Sequence, residues 1–93
     1  MIRSFVDETT RKVWLRQRAP RLRPDLQRAA QKKLRLLNAA ESINDLRVPP
    51  GNRLEKLAGD RTGQHPIRVN DQYRICFKWT ATGPADVEIT HYH

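Results

Sequence analysis

One cysteine, four glycines and six aromatic residues are spread over 93 positions. The lone cysteine excludes an internal disulfide, and no Cys/His cluster has the spacing of a structural zinc site, so the reducing cytosol is the expected compartment. Glycine is too scarce and scattered to form a phosphate-cradling loop, and no Ser/His/Asp arrangement for nucleophilic catalysis appears. No stretch approaches the roughly 20 apolar residues of a membrane span, and Met1-Ile2-Arg3-Ser4-Phe5-Val6-Asp7 lacks the length and charge order of a signal peptide. A soluble, unexported single domain covering 1–93 is therefore expected. At this length it buries about 65% of the surface its unfolded chain exposes, so its stability is modest and a stabilising partner is in keeping with it.

Acidic residues are also scarce. Ten Asp/Glu face eighteen Lys/Arg, giving a net charge of +8 and a pI near 10.6. Such an excess predicts a polyanionic partner, because cationic side chains release condensed counterions from a phosphate backbone. Thirteen of the basic residues are arginine, whose planar fork pairs bidentately with phosphate and stacks on bases. The alternative is a solvated basic surface. A membrane surface fits less well, because no basic helix also carries a long aromatic face. Residues 1–48 hold twelve Lys/Arg against five Asp/Glu, whereas residues 49–93 hold six against five. The N-terminal half thus reads as an electrostatic docking surface, and the C-terminal half as the place for individually positioned groups.

Ile2-Arg3-Ser4-Phe5 alternates like a short strand. A first helix is expected from near Asp7 to about Arg18, with acids at its positive end and arginines at its negative end, stopped by Pro20. A second runs from about Pro24 to Ala40: Leu26, Ala30, Leu34 and Leu37 form one apolar stripe that should pack on a sheet. Arg28 and Lys32 lie off that stripe, facing solvent or RNA. Asn44 to Gly51, with Pro49 and Pro50, is a connecting loop. Beyond it the pattern changes to short strands: Pro66-Ile67-Arg68-Val69, Tyr73 to Trp79, and Val87 to Thr90, with Asn70-Asp71-Gln72 as a tight reversal. The fold class is α+β, two N-terminal helices packed on one face of a small antiparallel sheet.

Strand alternation assigns the faces. Ile67, Val69, Tyr73, Ile75, Phe77 and Trp79 should meet the helices, leaving Arg68, Asn70, Arg74, Cys76 and Lys78 on an open face, with a cross-strand Lys78–Glu88 pair as the structural alternative. On the final strand Val87 and Ile89 face the core, and Glu88, Thr90 and Tyr92 lie on the side of Arg74. His91 and His93 fall formally on the core side, past the helical cover. Pro66 implies an edge or bulge, His65 a strand-end imidazole, and Cys76 a half-buried strand residue.

The run Gly51-Asn52-Arg53-Leu54-Glu55-Lys56-Leu57-Ala58-Gly59-Asp60-Arg61, followed by Gly63 to Phe77, resembles the core of HigB toxins in the RelE/ParE superfamily of type II toxin–antitoxin systems. The closing Val87-Glu88-Ile89-Thr90-His91-Tyr92-His93 and the opening Met1 to Phe5 are similar as well. The resemblance implies a RelE-like toxin that enters the ribosomal A site and cuts messenger RNA without a metal or other cofactor. Its implied partners are the ribosome and a HigA-type helix-turn-helix antitoxin, through which the complex would bind operator DNA.

By the same resemblance Arg74 stabilises the phosphate in the transition state and His93 transfers a proton. Tyr92 either stacks on a nucleotide or covers the core edge. Arg68, Lys78, Arg61, Arg53, Lys56, Lys32 and Arg28 are the expected nucleic-acid contacts. The family usually carries an aspartate where this chain has His91, and His91 with His93 would then form an acid and base pair, with the His93 α-carboxylate supplying part of the missing negative charge. Two other readings stay open: a non-catalytic RNA- or ribosome-binding protein of the same fold, and a ParE-like gyrase poison.

Overall fold

A computed structural model describes residues 1–54 and 63–91. Its elements are α1 (Glu8–Trp14), α2 (Pro24–Ala39), β1 (His65–Arg68), β2 (Tyr73–Thr80) and β3 (Gly83–His91), the strands forming an antiparallel sheet in the order β1-β2-β3. The expected α+β arrangement is the one observed. Val13 of α1, Ala30, Leu34 and Leu37 of α2, and Ile67, Ile75, Phe77 and Val87 of the sheet are all fully buried in a single core cluster. Burying each of these leucines stabilises the fold by about 1.5–3 kcal/mol. No helix among the described residues is long and apolar enough to cross a membrane.

The helix ends follow local chemistry. Asp7 caps α1, its side chain accepting from the Thr10 amide at 2.8 Å. The helix stops at Trp14 rather than at the expected Arg18. Gln17 N–H donates to the Lys12 carbonyl at 2.8 Å and Arg16 N–H to Val13 at 3.1 Å, a Schellman closure with Arg16 in the left-handed conformation at φ 60°. Glycine usually fills that position, so the sequence carried no stop signal there. The Gln27 side chain then clamps the turn, donating to the Gln17 carbonyl at 2.6 Å and accepting from the Ala19 amide at 3.1 Å.

The loop after α2 contains two short 3₁₀ turns, Ile43–Arg47 and Pro50–Asn52. Ser42 and Asp45 form a capping box, and backbone donation from Glu41 and Ser42 holds the Asp45 carboxyl below its usual range. Buried Asn52 is satisfied by the carbonyls of Leu46 and Val48 and by Lys33, whose ammonium donates at 2.5 Å.

The N-terminal segment becomes a partner of β3 rather than a separate strand. Arg3 N–H donates to Pro84, Val87 N–H to Ser4 and Val6 N–H to Val87, at 2.8–3.0 Å, with Phe5 bridging Val87 in parallel. Farther along the same edge, the buried Thr10 hydroxyl accepts from the Ile89 amide at 3.0 Å. β1 is the opposite edge strand, which is where Pro66 is tolerated.

Thr10→Val keeps the shape of the buried side chain but strands the Ile89 amide. Urea denaturation is expected to show a loss of about 1–3 kcal/mol. Gly83 has φ 131°, and a Cβ there would collide with the Met1 carbonyl oxygen. Gly83→Ala should therefore destabilise by roughly 1–3 kcal/mol, read in the same denaturation series.

Candidate functional site

Strand register assembles the candidate site. Arg68 on β1 pairs with Arg74 on β2, and Arg74 pairs with Thr90 on β3, so the three lie in one row across the sheet on the face away from the helices. Two guanidiniums directly opposite one another repel unless an anion sits between or beside them. Asp71 supplies part of that charge, pairing with Arg68 across the turn. Asn70 fixes the turn by accepting from the Gln72 and Tyr73 amides, each at 2.8 Å. Arg74 is half-buried, with its Nε out of contact with solvent.

The rest of that face departs from expectation. Pro66 and Cys76, the next pair along, are buried, and Cys76 is fully so. The face is thus covered there, and its exposed cations do not form one continuous patch. Lys78 is exposed, but its partner is Asp86 at 3.6 Å, not Glu88. A β-bulge explains the change: the register shifts between Cys76 and Lys78, leaving Glu88 opposite Cys76 and Ala85 opposite Lys78. Asp86, at φ 51°, is the left-handed residue in the bulge, and its backbone N–H donates to the Ser4 hydroxyl at 2.8 Å. The structure therefore joins Arg68 to Arg74 and sets Lys78 apart.

His91 is exposed and lies opposite Tyr73, with ring centroids 4.1 Å apart and planes tilted by 40°. By alternation both rings lie on the helix side of the sheet, so the His91 imidazole and the Arg74 guanidinium leave adjacent rows in opposite directions. Alternation alone makes Tyr73 a core residue. Counting outward from the Asn70-Asp71-Gln72 turn and the second hairpin would have placed it against His91. His65 is half-buried, 6.0 Å from the Phe77 ring, also on the helix side and away from Arg74. Tyr92, His93, Lys56 and Arg61 lie outside the described residues.

A cation also escapes the sequence pattern. Lys33 on α2 has its ammonium held below the usual lysine range, first by burial and then by the charges of Lys32 and Arg68. The basic side of α2 thus shares its electrostatic field with the arginine row. Arg28 and Lys32 are exposed on α2, and Arg53 is exposed in a left-handed turn at φ 50°.

Over 54 residues, 58% of its length, this chain is 50% identical to Toxin HigB-1 of Vibrio cholerae serotype O1, covering 57% of that protein. An uncharacterized protein of Haemophilus influenzae is 44% identical over 55 residues, covering 59% of this chain and 54% of the relative. The matched segments thus span a little over half the length of these two relatives. Residues 3–93 match the model of the HigB-like toxins, described as RelE-like toxins of the type II toxin–antitoxin system HigB. Matched over nearly all its length, and carrying the helix-on-sheet fold, the chain belongs to that HigB-like family.

Proposed function

We propose that this protein is a ribosome-dependent messenger RNA endonuclease that acts in the A site and arrests translation until an antitoxin of the HigA type neutralises it. The row Arg68, Arg74, Thr90 carries this reading, because the register sets two arginines opposite one another near the end of the sheet that leads in sequence to Tyr92 and His93. The family matched by residues 3–93 supports it.

The chemistry follows from charge development. The RNA supplies its own nucleophile: a ribose 2′-oxygen bonds to the adjacent phosphorus as its proton leaves, and the bond to the 5′-oxygen breaks as that oxygen gains a proton. The products are a 2′,3′-cyclic phosphate and a 5′-hydroxyl. Negative charge accumulates on the phosphoryl oxygens between these events, and a guanidinium with two parallel donors stabilises it there. Arg74 takes this role and Arg68 adds a second positive charge beside it. His93 exchanges the proton, since an imidazole with a pKa near ~6.5 both accepts and returns one near neutrality. Tyr92 stacks on a nucleotide.

His91 has a different place in this scheme. Set against Tyr73 on the helix side of the sheet, away from the Arg74 face, it holds that ring more readily than it touches the scissile phosphate. The same geometry favours the second reading, a non-catalytic RNA-binding protein, if His93 is not brought to Arg74. The implied partners are the ribosome, messenger RNA and a helix-turn-helix antitoxin, which would carry any operator DNA binding.

Mapping 5′ ends of messenger RNA after brief expression tests the assignment, since an A-site nuclease yields new ends in frame with the codon. Arg74→Ala should reduce those ends by roughly 10²–10³-fold and relieve growth arrest, with an unchanged circular dichroism spectrum. Full toxicity in that folded variant would refute the role given to Arg74. His93→Ala should behave similarly. His91→Asp, restoring the acid usual in the family, should cleave at least as well as the parent; a folded but inactive protein would show that the imidazole itself takes part.

A further inference from the structure

Beside the stripe of α2 that enters the core, a second row of its side chains reaches the surface. Ala29, Lys33 and Leu36 recur at intervals of four and three, so they share one helix face about 10 Å long. With Pro49 of the connecting loop and Val69 just past β1, they line a groove of about 610 Å³. The lining is mostly aliphatic. Leu36 is 41% exposed, and Val48, next to Pro49 in the chain, is 71% exposed. Large aliphatic side chains left in water at a concave surface mark a place that another surface covers.

Lys33 adds an independent observation. Its half-buried ammonium gives one hydrogen bond, to Asn52 Oδ1 at 2.5 Å, and pairs with no carboxylate among the described residues. Burial and the charges of Lys32 and Arg68 hold it below the usual lysine range. A carboxylate brought to it from outside would offset that repulsion with a charge-assisted hydrogen bond. Arg35, exposed on the same groove wall, adds to the preference for an acidic visitor.

We propose that this groove seats an acidic amphipathic helix of the antitoxin, with apolar side chains packed on Ala29, Leu36 and Val69 and a carboxylate on Lys33. The proposal rests on the antitoxin partner inferred above and is independent of the nuclease chemistry. The lining favours protein over RNA, because it offers no aromatic ring on which a base could stack. Its form favours a helix: a ridge of side chains spaced three and four apart packs beside another of the same spacing, and the small Ala29 lets the two axes approach.

The test titrates the full-length toxin with its cognate antitoxin by calorimetry, at several temperatures and salt concentrations. The parent should bind with a negative heat-capacity change, the mark of apolar burial, and more weakly as salt rises. Leu36→Asp should weaken binding at least about tenfold and make the heat-capacity change less negative, with the melting temperature of the free toxin unchanged. Arg35→Glu, at an exposed position, should weaken binding several-fold and flatten its salt dependence, as should Lys33→Gln, whereas Arg18→Gln on the turn after α1 should change neither. Unchanged affinity and heat capacity in folded Leu36→Asp would overturn the proposal. So would equal losses from Arg18→Gln and Arg35→Glu, or variants that keep antitoxin affinity and lose ribosome binding or a toxin dimer instead. Failure of the parent to bind the antitoxin at all would refute the partner reading itself. Groove-dependent binding by a parent that yields no new messenger ends would uphold the groove and refute the nuclease reading, so the two fail separately.

Discussion

Closing the outer edge of β3 is the constraint on which the rest of this small fold depends. An edge strand left open exposes a row of amide and carbonyl groups. Here the backbone of Arg3, Ser4 and Val6 pairs with Pro84 and Val87, and the hydroxyl of Thr10 takes the Ile89 amide. Because Thr10 lies inside α1, one hydrogen bond ties the helical layer to the strand that ends at the candidate site. The position of α1 then fixes the turn through Gln17 to Ala19, and Gln27 transmits that position to α2. The arginine row and the groove along α2 both inherit their placement from this edge.

Much of the arrangement could be read from residue order. The apolar stripe of α2 buried as its spacing required, Pro66 marked an edge strand, and alternation put Arg68 and Arg74 on the face away from the helices. Three features could not be read, each for a physical reason. α1 ends on a left-handed arginine, a residue type that carries no stop preference. The Lys78 partner depends on a bulge that exists only once β2 and β3 have paired. Cys76 is buried by tertiary cover, which local alternation does not contain. Tyr73 against His91 is a different case, since hairpin register alone makes that pair.

The candidate site was legible in its charge and less so in its geometry. Placing Arg68 beside Arg74 needed only the tight Asn70-Asp71-Gln72 turn between two alternating strands. Separating Lys78 from them, and adding Lys33 to their field, needed the bulge and the burial of Asn52 respectively. Function classes were narrowed by composition, while the family match over residues 3–93 supplied what composition alone does not.

Three non-glycine residues among those described are left-handed, and they share a further logic. Arg16 closes α1, Arg53 follows the second 3₁₀ turn, and Asp86 sits in the β3 bulge. Such conformations cost of order 1–3 kcal/mol each in a domain whose total stability is only several kcal/mol. Asp86 recovers part of that cost through Ser4 and Lys78, so its strain is tied to edge closure. Arg16 recovers it through the backbone instead: its N–H donates to Val13 and that of Gln17 to Lys12, so its strain is tied to the closure of α1. At both positions the strain is compensated within the fold, by a side chain and edge strand for Asp86 and by helix closure and the Gln27 clamp for Arg16. Each left-handed residue therefore marks a place where one layer of the fold is locked to the next: Asp86 where β3 meets the N-terminal segment, Arg16 where α1 turns toward α2.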